Sequence, residues 1–288
     1  MGALKNRFFL YLALTRVDKP ECWLLLMWPT WWGLWMASAG APPLFLFFVF
    51  TAGSLLMHSA GCAINDFADR DIDCHVERTK GRPLASRQLH PWEAIGVALV
   101  LLLLALILVL SLNWLTVWLA GAALLVAVTY PWFKRFFFLP QAWLGIAFGF
   151  GIPMAFSATQ GKIPATAWCL MVCNFFWTIA YDTEYAMVDR NDDLKIGIKT
   201  AAISFGRYDV FAIMTCYAAM LSVFAVTGWY AGLGRWFFFA CGLAASGVVF
   251  QYFLIRSRDR MRCLSAFRWN NGIGFILFLG ILLDYALI

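Results

Sequence analysis

The hydrophobic positions of this chain fall in long unbroken blocks, and the polar positions collect in the gaps between them. A membrane-crossing helix needs about 20 apolar residues. Nine blocks approach or reach that length: 22–40, 43–63, 93–111, 114–131, 140–158, 164–181, 209–230, 236–255 and 270–288. Runs such as Ala94 to Leu110 show no two-residue alternation, unlike the strands of about ten residues that build a membrane barrel. Helices and closed barrels are the structures that satisfy backbone polar groups inside lipid. The pattern therefore predicts an all-α, polytopic membrane protein with nine transmembrane helices, one transmembrane domain over residues 1–288. Gly149, Gly151 and Pro153 mark a breaking point in the fifth of them.

Composition agrees. The 288 residues are 62% hydrophobic and 13% charged, with mean hydropathy +0.74, whereas a soluble domain carries roughly a quarter charged residues. In a nine-helix arrangement, all but two of the 22 Lys and Arg residues fall on one side, the exceptions being Lys162 and Arg235. Such asymmetry predicts a topology with the N-terminus on the inner, cytoplasmic side and the C-terminus on the outer side. The net charge of +6 is then positive-inside bias, and nucleic acid is not an expected partner; the lipid bilayer is. Arg16, Lys19 and the Ala37-Ser38-Ala39 tripeptide resemble parts of a signal peptide, but Trp23, Trp28, Trp31, Trp32 and Trp35 make a poor signal core. The first block reads as an ordinary membrane helix. The 8 cysteines form no Cys-x-x-Cys pair and read as small membrane residues.

The acidic residues change the picture. Most of the 16 lie in two inner-side connections, 64–92 and 182–208. In the first, Asn65, Asp69 and Asp73 are spaced by four, so they stack on one helical face if the second helix continues past the membrane. Asp66 lies near that face and Asp71 points away. In the second, Asp182, Asp189 and Asp193 share a face. Carboxylates packed this densely repel one another, and divalent cations between them are the cheapest remedy. Hard oxygen ligands suit Mg²⁺, which keeps waters and substrate phosphates in its shell. Arg70, Arg78, Lys80, Lys134, Arg135, Lys195 and Lys199 surround the same region and are suited to phosphate oxygens. One acidic run beside a membrane helix is usually solvated loop; two aligned runs on the same side suggest a metal–phosphate site. An ion or proton pathway would instead place carboxylates at mid-membrane. Asp284 is the one deep carboxylate, and it reads as a side chain snorkelling to the outer interface. His58, His75 and His90 lack metal-ligand spacing.

The segment NDFADRDID at 65–73 resembles the NDxxDxxxD motif of the UbiA superfamily of intramembrane prenyltransferases. The segment YDTEYAMVDRNDDLKIGIKT, Tyr181 to Thr200, resembles that superfamily's second Asp-rich motif. These, with RVDKPECWLLLMWPTWW at 16–32, RPLASRQL at 82–89 and YPWFKRFFFLPQAWLG at 130–145, are similar to its 4-hydroxybenzoate polyprenyltransferase branch. The resemblance implies nine helices around a central cavity whose active site lies at the cytoplasmic end. It implies Mg²⁺ bridging a polyprenyl diphosphate to both Asp motifs, and transfer of the polyprenyl group to the ring carbon ortho to the hydroxyl of 4-hydroxybenzoate, a step of ubiquinone biosynthesis.

By the motifs, Asn65, Asp66, Asp69, Asp73, Asp182, Asp189 and Asp193 are the expected metal ligands. Asp69 and Asp189 are the expected catalytic carboxylates, Asp189 as acceptor of the phenolic proton. Lys134 and Arg135 match a basic pair expected on the diphosphate or the aromatic carboxylate; Arg70 and Lys195 are further substrate-binding candidates. Arg16 reads equally as a clamp for the substrate carboxylate and as a positive-inside anchor. Superfamily members that prenylate homogentisate, a naphthoate or haem share the Asp motifs, and a cation-coupled transporter is the alternative from another class.

Overall fold

The protein was analysed as a computed structural model that describes residues 2–287, with side chains from Arg7 onward. The described residues form α-helices and no strand: α1 (Gly2–Thr15), α2 (Pro20–Ala37), α3 (Leu44–Asp73), α4 (Pro91–Leu110), α5 (Trp114–Phe133), α6 (Pro140–Gly149), α7 (Gly151–Gln160), α8 (Ala165–Ile196), α9 (Ala201–Phe205), α10 (Asp209–Tyr230), α11 (Arg235–Ile255) and α12 (Arg260–Ala286). The all-helical expectation holds. Seven stretches are long and apolar enough to cross a membrane, with α6 and α7 counted as one and α9 and α10 as one. By that measure α2 and α8 fall short. Trp, Pro29 and Glu21 dilute α2, and Asn174 and Asp182 interrupt α8. The break expected in the fifth helix is local: α6 ends at Gly149, α7 starts at Gly151, and Phe150 between them keeps a helical backbone.

Helix ends follow local chemistry. His90 and Glu93 form a capping box before α4, with Pro91 in its first turn. Asn113 caps α5 by accepting from the Thr116 N–H. Gly161 and Gly197 close α7 and α8 in left-handed conformations. The helix α1 precedes the first apolar block, which begins at residue 22, and lies outside the nine expected helices. It packs Leu14 against Ala63, Leu84 and Ala94, and Tyr11 donates to Glu93 at 2.7 Å.

The main core joins α2, α8, α10, α11 and α12. Trp32 stacks on Trp177 with centroids 5.0 Å apart and meets Phe224 edge-on at 5.2 Å. Gly274 makes room for two of these rings, since a Cβ there would run into Trp28 and Trp177. Likewise a Cβ at Gly151 would strike Thr30, so the α2–α7 crossing depends on that glycine. On the back of α8, Glu184 is fully buried and accepts from the Tyr217 hydroxyl at 3.0 Å and the Asn270 amide at 3.0 Å. Trp177 donates to Asn270 at 2.8 Å. This satisfied polar group pins α8 to α10 and α12.

At 30 and 32 residues, α3 and α8 are the longest helices. At about 1.5 Å per residue they exceed the roughly 30 Å of bilayer hydrocarbon. Their surplus turns carry the acidic motifs, so the inner connections contract to 74–90 and 197–200.

Asp284 corrects the snorkelling expectation. It is 1% exposed and accepts from the backbone N–H groups of Gly234, Trp236 (3.2 Å) and Phe237 (3.4 Å). It therefore caps the N-terminus of α11 from a neighbouring helix, where the helix dipole also favours a carboxylate. Asp284→Ala should destabilise the protein by about 1–2 kcal/mol, seen as a lower unfolding midpoint in detergent, while Asp284→Asn should recover part of the loss.

Candidate active site

A cavity of about 650 Å³ opens among α2, α3, α5, α6 and α8, and α4 and α7 complete its wall. Along α3 its lining runs from Val49 and Phe50 at one end to Asn65, Asp69 and Asp73 at the other. Along α8 it includes Tyr181, Asp182, Tyr185, Asp189 and Asp193. The polar end therefore presents both acidic motifs to one space. The remaining wall is apolar, with Leu102, Leu106, Leu124, Phe148 and Met154 among its residues. The four-residue steps on α3 and the seven- and four-residue steps on α8 bring this about, because each keeps its carboxylates on one helical face.

Asp66, Asp69 and Asp73 on α3 are each held by a cation from another element. Lys134, at the end of α5, donates to Asn65 Oδ1 at 2.9 Å and Asp69 Oδ2 at 3.1 Å. Its ammonium also lies 5.1 Å from the Tyr130 ring centroid. Arg82 donates to Asp73 at 2.7 Å and to Asp66 at 3.1 Å, and Arg16 pairs with the same Asp66 oxygen. On α8, Arg78 holds Asp189 through two nitrogens, Nε reaching Oδ2 at 2.9 Å. Arg78 also donates to the Tyr185 hydroxyl and covers that ring at 4.3 Å.

Asp182 and Asp193 have no ion pair among the described residues. Enclosure by the protein pushes the Asp182 carboxyl up to about 6, against the pull of Lys134. Enclosure, reinforced by the neighbouring Asp189 charge, pushes Asp193 up to about 7.

The remaining sequence candidates lie elsewhere. Asp66 is buried beneath the cavity lining, with Oδ2 lacking a hydrogen-bond partner. Arg70 donates to the Phe67 carbonyl at 2.8 Å, and Arg135 donates to the Ala68 carbonyl at 3.0 Å; both therefore brace α3. Lys195 is exposed beside Asp192 at 3.5 Å. Asp71 points outward as expected, with 82% of its side chain exposed. Arg82 and Tyr185 were not singled out from the sequence, and Arg78 was only one of several nearby cations. A long irregular loop carries both arginines, and no periodicity reveals where such a loop folds back.

Among the described residues, no three His, Cys, Asp or Glu side chains converge closely enough to hold an ion by themselves. Lys134, Arg82 and Arg78 draw the carboxylates apart. The donor set nevertheless fits a hard divalent cation: Asn65, Asp69, Asp73, Asp182, Asp189 and Asp193 all offer oxygen at one end of one cavity. Asp193 is buried, makes no ion pair among the described residues and lies beside the Asp189 charge, which is the condition a metal would relieve.

Fold and cavity together define a polytopic helical membrane protein with an acidic, cation-ringed mouth on an apolar chamber. Residues 26–277 match the UbiA prenyltransferase family, and the chain belongs to that family. A protein of Janthinobacterium sp. (strain Marseille) named 4-hydroxybenzoate octaprenyltransferase is 57% identical over 282 residues, covering 98% of this chain and 99% of its own. One of the same name from Aromatoleum aromaticum is 55% identical over 285 residues, covering 99% and 97%. Among solved structures, the apo form of a UbiA homolog from Aeropyrum pernix K1 superposes with TM-score 0.81 at 24% identity, covering 92% of this chain and 98% of its own. A UbiA homolog from Archaeoglobus fulgidus bound to GPP and Mg²⁺ superposes with TM-score 0.72 at 18% identity, covering 95% and 99%.

The raised Asp193 carboxyl would give the binding of a metal there a pH dependence. The group is protonated below about 7, and a ligand must shed its proton to bind metal. Mg²⁺ affinity should therefore fall about tenfold between pH 8 and pH 6, measured by equilibrium dialysis of the purified protein. Asp193→Asn should flatten that slope.

Proposed function

We propose that this protein is a 4-hydroxybenzoate polyprenyltransferase of ubiquinone biosynthesis. It moves the polyprenyl group of a polyprenyl diphosphate to the ring carbon ortho to the phenolic hydroxyl. The observation that carries the reading is the pair of carboxylate-bearing helix ends, on α3 and α8, sharing the mouth of one apolar cavity with Lys134, Arg78 and Arg82. Full-length relatives at 55–57% identity carry the matching name, with an octaprenyl donor. In this reading α2 and α8 also cross the membrane. The nine spans then surround the cavity, its polar mouth facing the cytoplasm, with the N-terminus cytoplasmic and the C-terminus periplasmic.

Asn65, Asp69 and Asp73 on one wall, and Asp182, Asp189 and Asp193 on the other, are the residues to hold Mg²⁺. Asp66 contributes from beneath by orienting Arg16 and Arg82. A metal held by these residues would supply positive charge to the departing diphosphate and so ease cleavage of the allylic C–O bond. The basic side chains serve the same end. Lys134, Arg78 and Arg82, released from their carboxylates, are within reach of phosphate oxygens at the cavity mouth. The apolar wall accommodates the isoprenoid tail and keeps water from the allylic cation as charge develops. Tyr130, Tyr181 and Tyr185 line the same end and present ring faces to that charge. Arg16, which lines the cavity beside Cys62, binds the acceptor's carboxylate. The ring carbon attacks the allylic carbon as its bond to the diphosphate oxygen breaks, and the departing diphosphate takes the ring proton, restoring aromaticity. Asp189 takes the phenolic proton during the attack and returns it to the oxygen afterwards. Arg70, Arg135 and Lys195 add positive charge around the mouth without facing it.

The test offers a short prenyl diphosphate with 4-hydroxybenzoate, homogentisate and a naphthoate, with and without Mg²⁺. Prenylated 4-hydroxybenzoate should form only with the metal, and Asp69→Ala and Asp189→Ala should each cut turnover by roughly 10²–10³. Near-normal turnover in both variants would sink the assignment of the carboxylates. Preference for another acceptor would overturn the choice of substrate.

A further inference from the structure

We infer that Arg260 is a positioning residue for Asp189, mounted by an Arg190–Asp209–Arg258 cluster built on the buried Asp209, and that it competes with Mg²⁺ for that carboxylate. The inference rests on the reading of Asp189 as a metal ligand and assigns the control of that ligand to an element outside both acidic motifs.

Asp189 has two cationic partners that approach from different directions. Arg78 lines the cavity. Arg260, the first residue of α12, places Nη2 3.3 Å from Asp189 Oδ1 and 3.8 Å from Asp192 Oδ2. Asp192 also accepts from the Glu77 backbone N–H at 3.4 Å, so the 74–90 loop and the α11–α12 turn meet over the end of α8. Arg260 is not part of the cavity lining. It reaches Asp189 from the outer rim, with 41% of its side chain exposed.

An exposed arginine is ordinarily free to wander, and its ion pair is worth little. This one is carried on a fixed mount. Asp209 is 0% exposed. It receives Arg190 from α8 at 3.1 Å, and Arg258 through Nη2 at 2.7 Å and Nε at 3.0 Å. Arg258 also donates to the Arg207 carbonyl at 2.9 Å. A fully buried carboxylate is costly without counter-charge, so Asp209 holds its guanidinium partners firmly. The backbone of Arg258 takes φ +56°, a left-handed conformation uncommon for a residue with a side chain. One residue on, Asp259 caps α12 through the Arg262 N–H at 2.9 Å. These contacts fix the turn at 256–259 against α8 and α10, and the next residue is Arg260.

A guanidinium and a divalent cation repel each other and need the same oxygens. Arg260 therefore holds the Asp189 carboxylate neutralised and oriented until metal arrives, and its presence weakens metal binding. Removing it should tighten the binding of Mg²⁺ alone by about two- to fivefold, the range expected of a half-exposed pair.

The test is equilibrium dialysis of Mg²⁺ against the purified full chain in detergent, in the absence of any diphosphate. Arg260→Ala should lower the Mg²⁺ dissociation constant two- to fivefold, and Arg260→Lys should fall between that variant and the wild type. Arg258→Ala, which keeps Arg260 but loosens its mount, should move the constant in the same direction. In the double variant the two effects should not add. Unchanged or weaker Mg²⁺ binding in Arg260→Ala, with or without a lower unfolding midpoint, would overturn the inference while leaving the metal site intact. Absence of saturable Mg²⁺ binding in the wild type would overturn the metal-site reading together with the inference.

Discussion

Compensating carboxylate charge at the inner ends of α3 and α8 is the constraint on which the rest of the architecture depends. Asp66, Asp69, Asp73 and Asp189 are all buried, and bare charges that close together are prohibitive without partners. The partners come from every neighbouring connection. Arg78 and Arg82 descend from the 74–90 loop, Lys134 from the end of α5, Arg16 from the turn before α2 and Arg260 from the start of α12. Electrostatics thus draws separate loops over one cavity mouth. Secondary contacts hold them there: Lys199 donates to the Phe136 carbonyl at 3.0 Å, and Gln141 accepts from the Ala201 N–H at 2.9 Å.

The helix α8 links this mouth to the body of the bundle. Its cavity face carries Asp182, Asp189 and Asp193; its opposite face carries Glu184, tied to Tyr217 and Asn270. Both faces are polar for different reasons. One is charged and paired with cations that a ligand can displace. The other is satisfied internally and has nothing to release. The first suits an exchangeable site, and the second makes a rigid wall behind it. In the proposed function, that division would let the cations regroup on a bound diphosphate without moving the helix. The bundle below the mouth stays apolar, as chemistry that develops a cation beside water would require.

Periodicity and charge were enough to read the helical class, most helix positions and the facing acidic columns. Their physical basis is local: a membrane helix needs a long apolar run, and a four-residue step keeps side chains on one face. Pairings across the chain were not legible. Asp66 looked like a companion ligand but is committed to Arg16 and Arg82. Asp209 and Glu184 looked like members of an acidic loop, yet one anchors the α11–α12 turn and the other the back of α8. Asp284 looked like a snorkelling terminus and is a cap for α11.

By itself the sequence determined a membrane-embedded helical protein with two oxygen-rich faces and a basic inner side, because spacing, hydropathy and charge act along the chain. Only the tertiary structure decided which cation meets which carboxylate, and therefore which groups face the cavity and which brace it. Ion pairs form between residues far apart along the chain, as between Arg78 and Asp189, 111 positions apart. Loop geometry and burial select them, and neither is encoded in any local period.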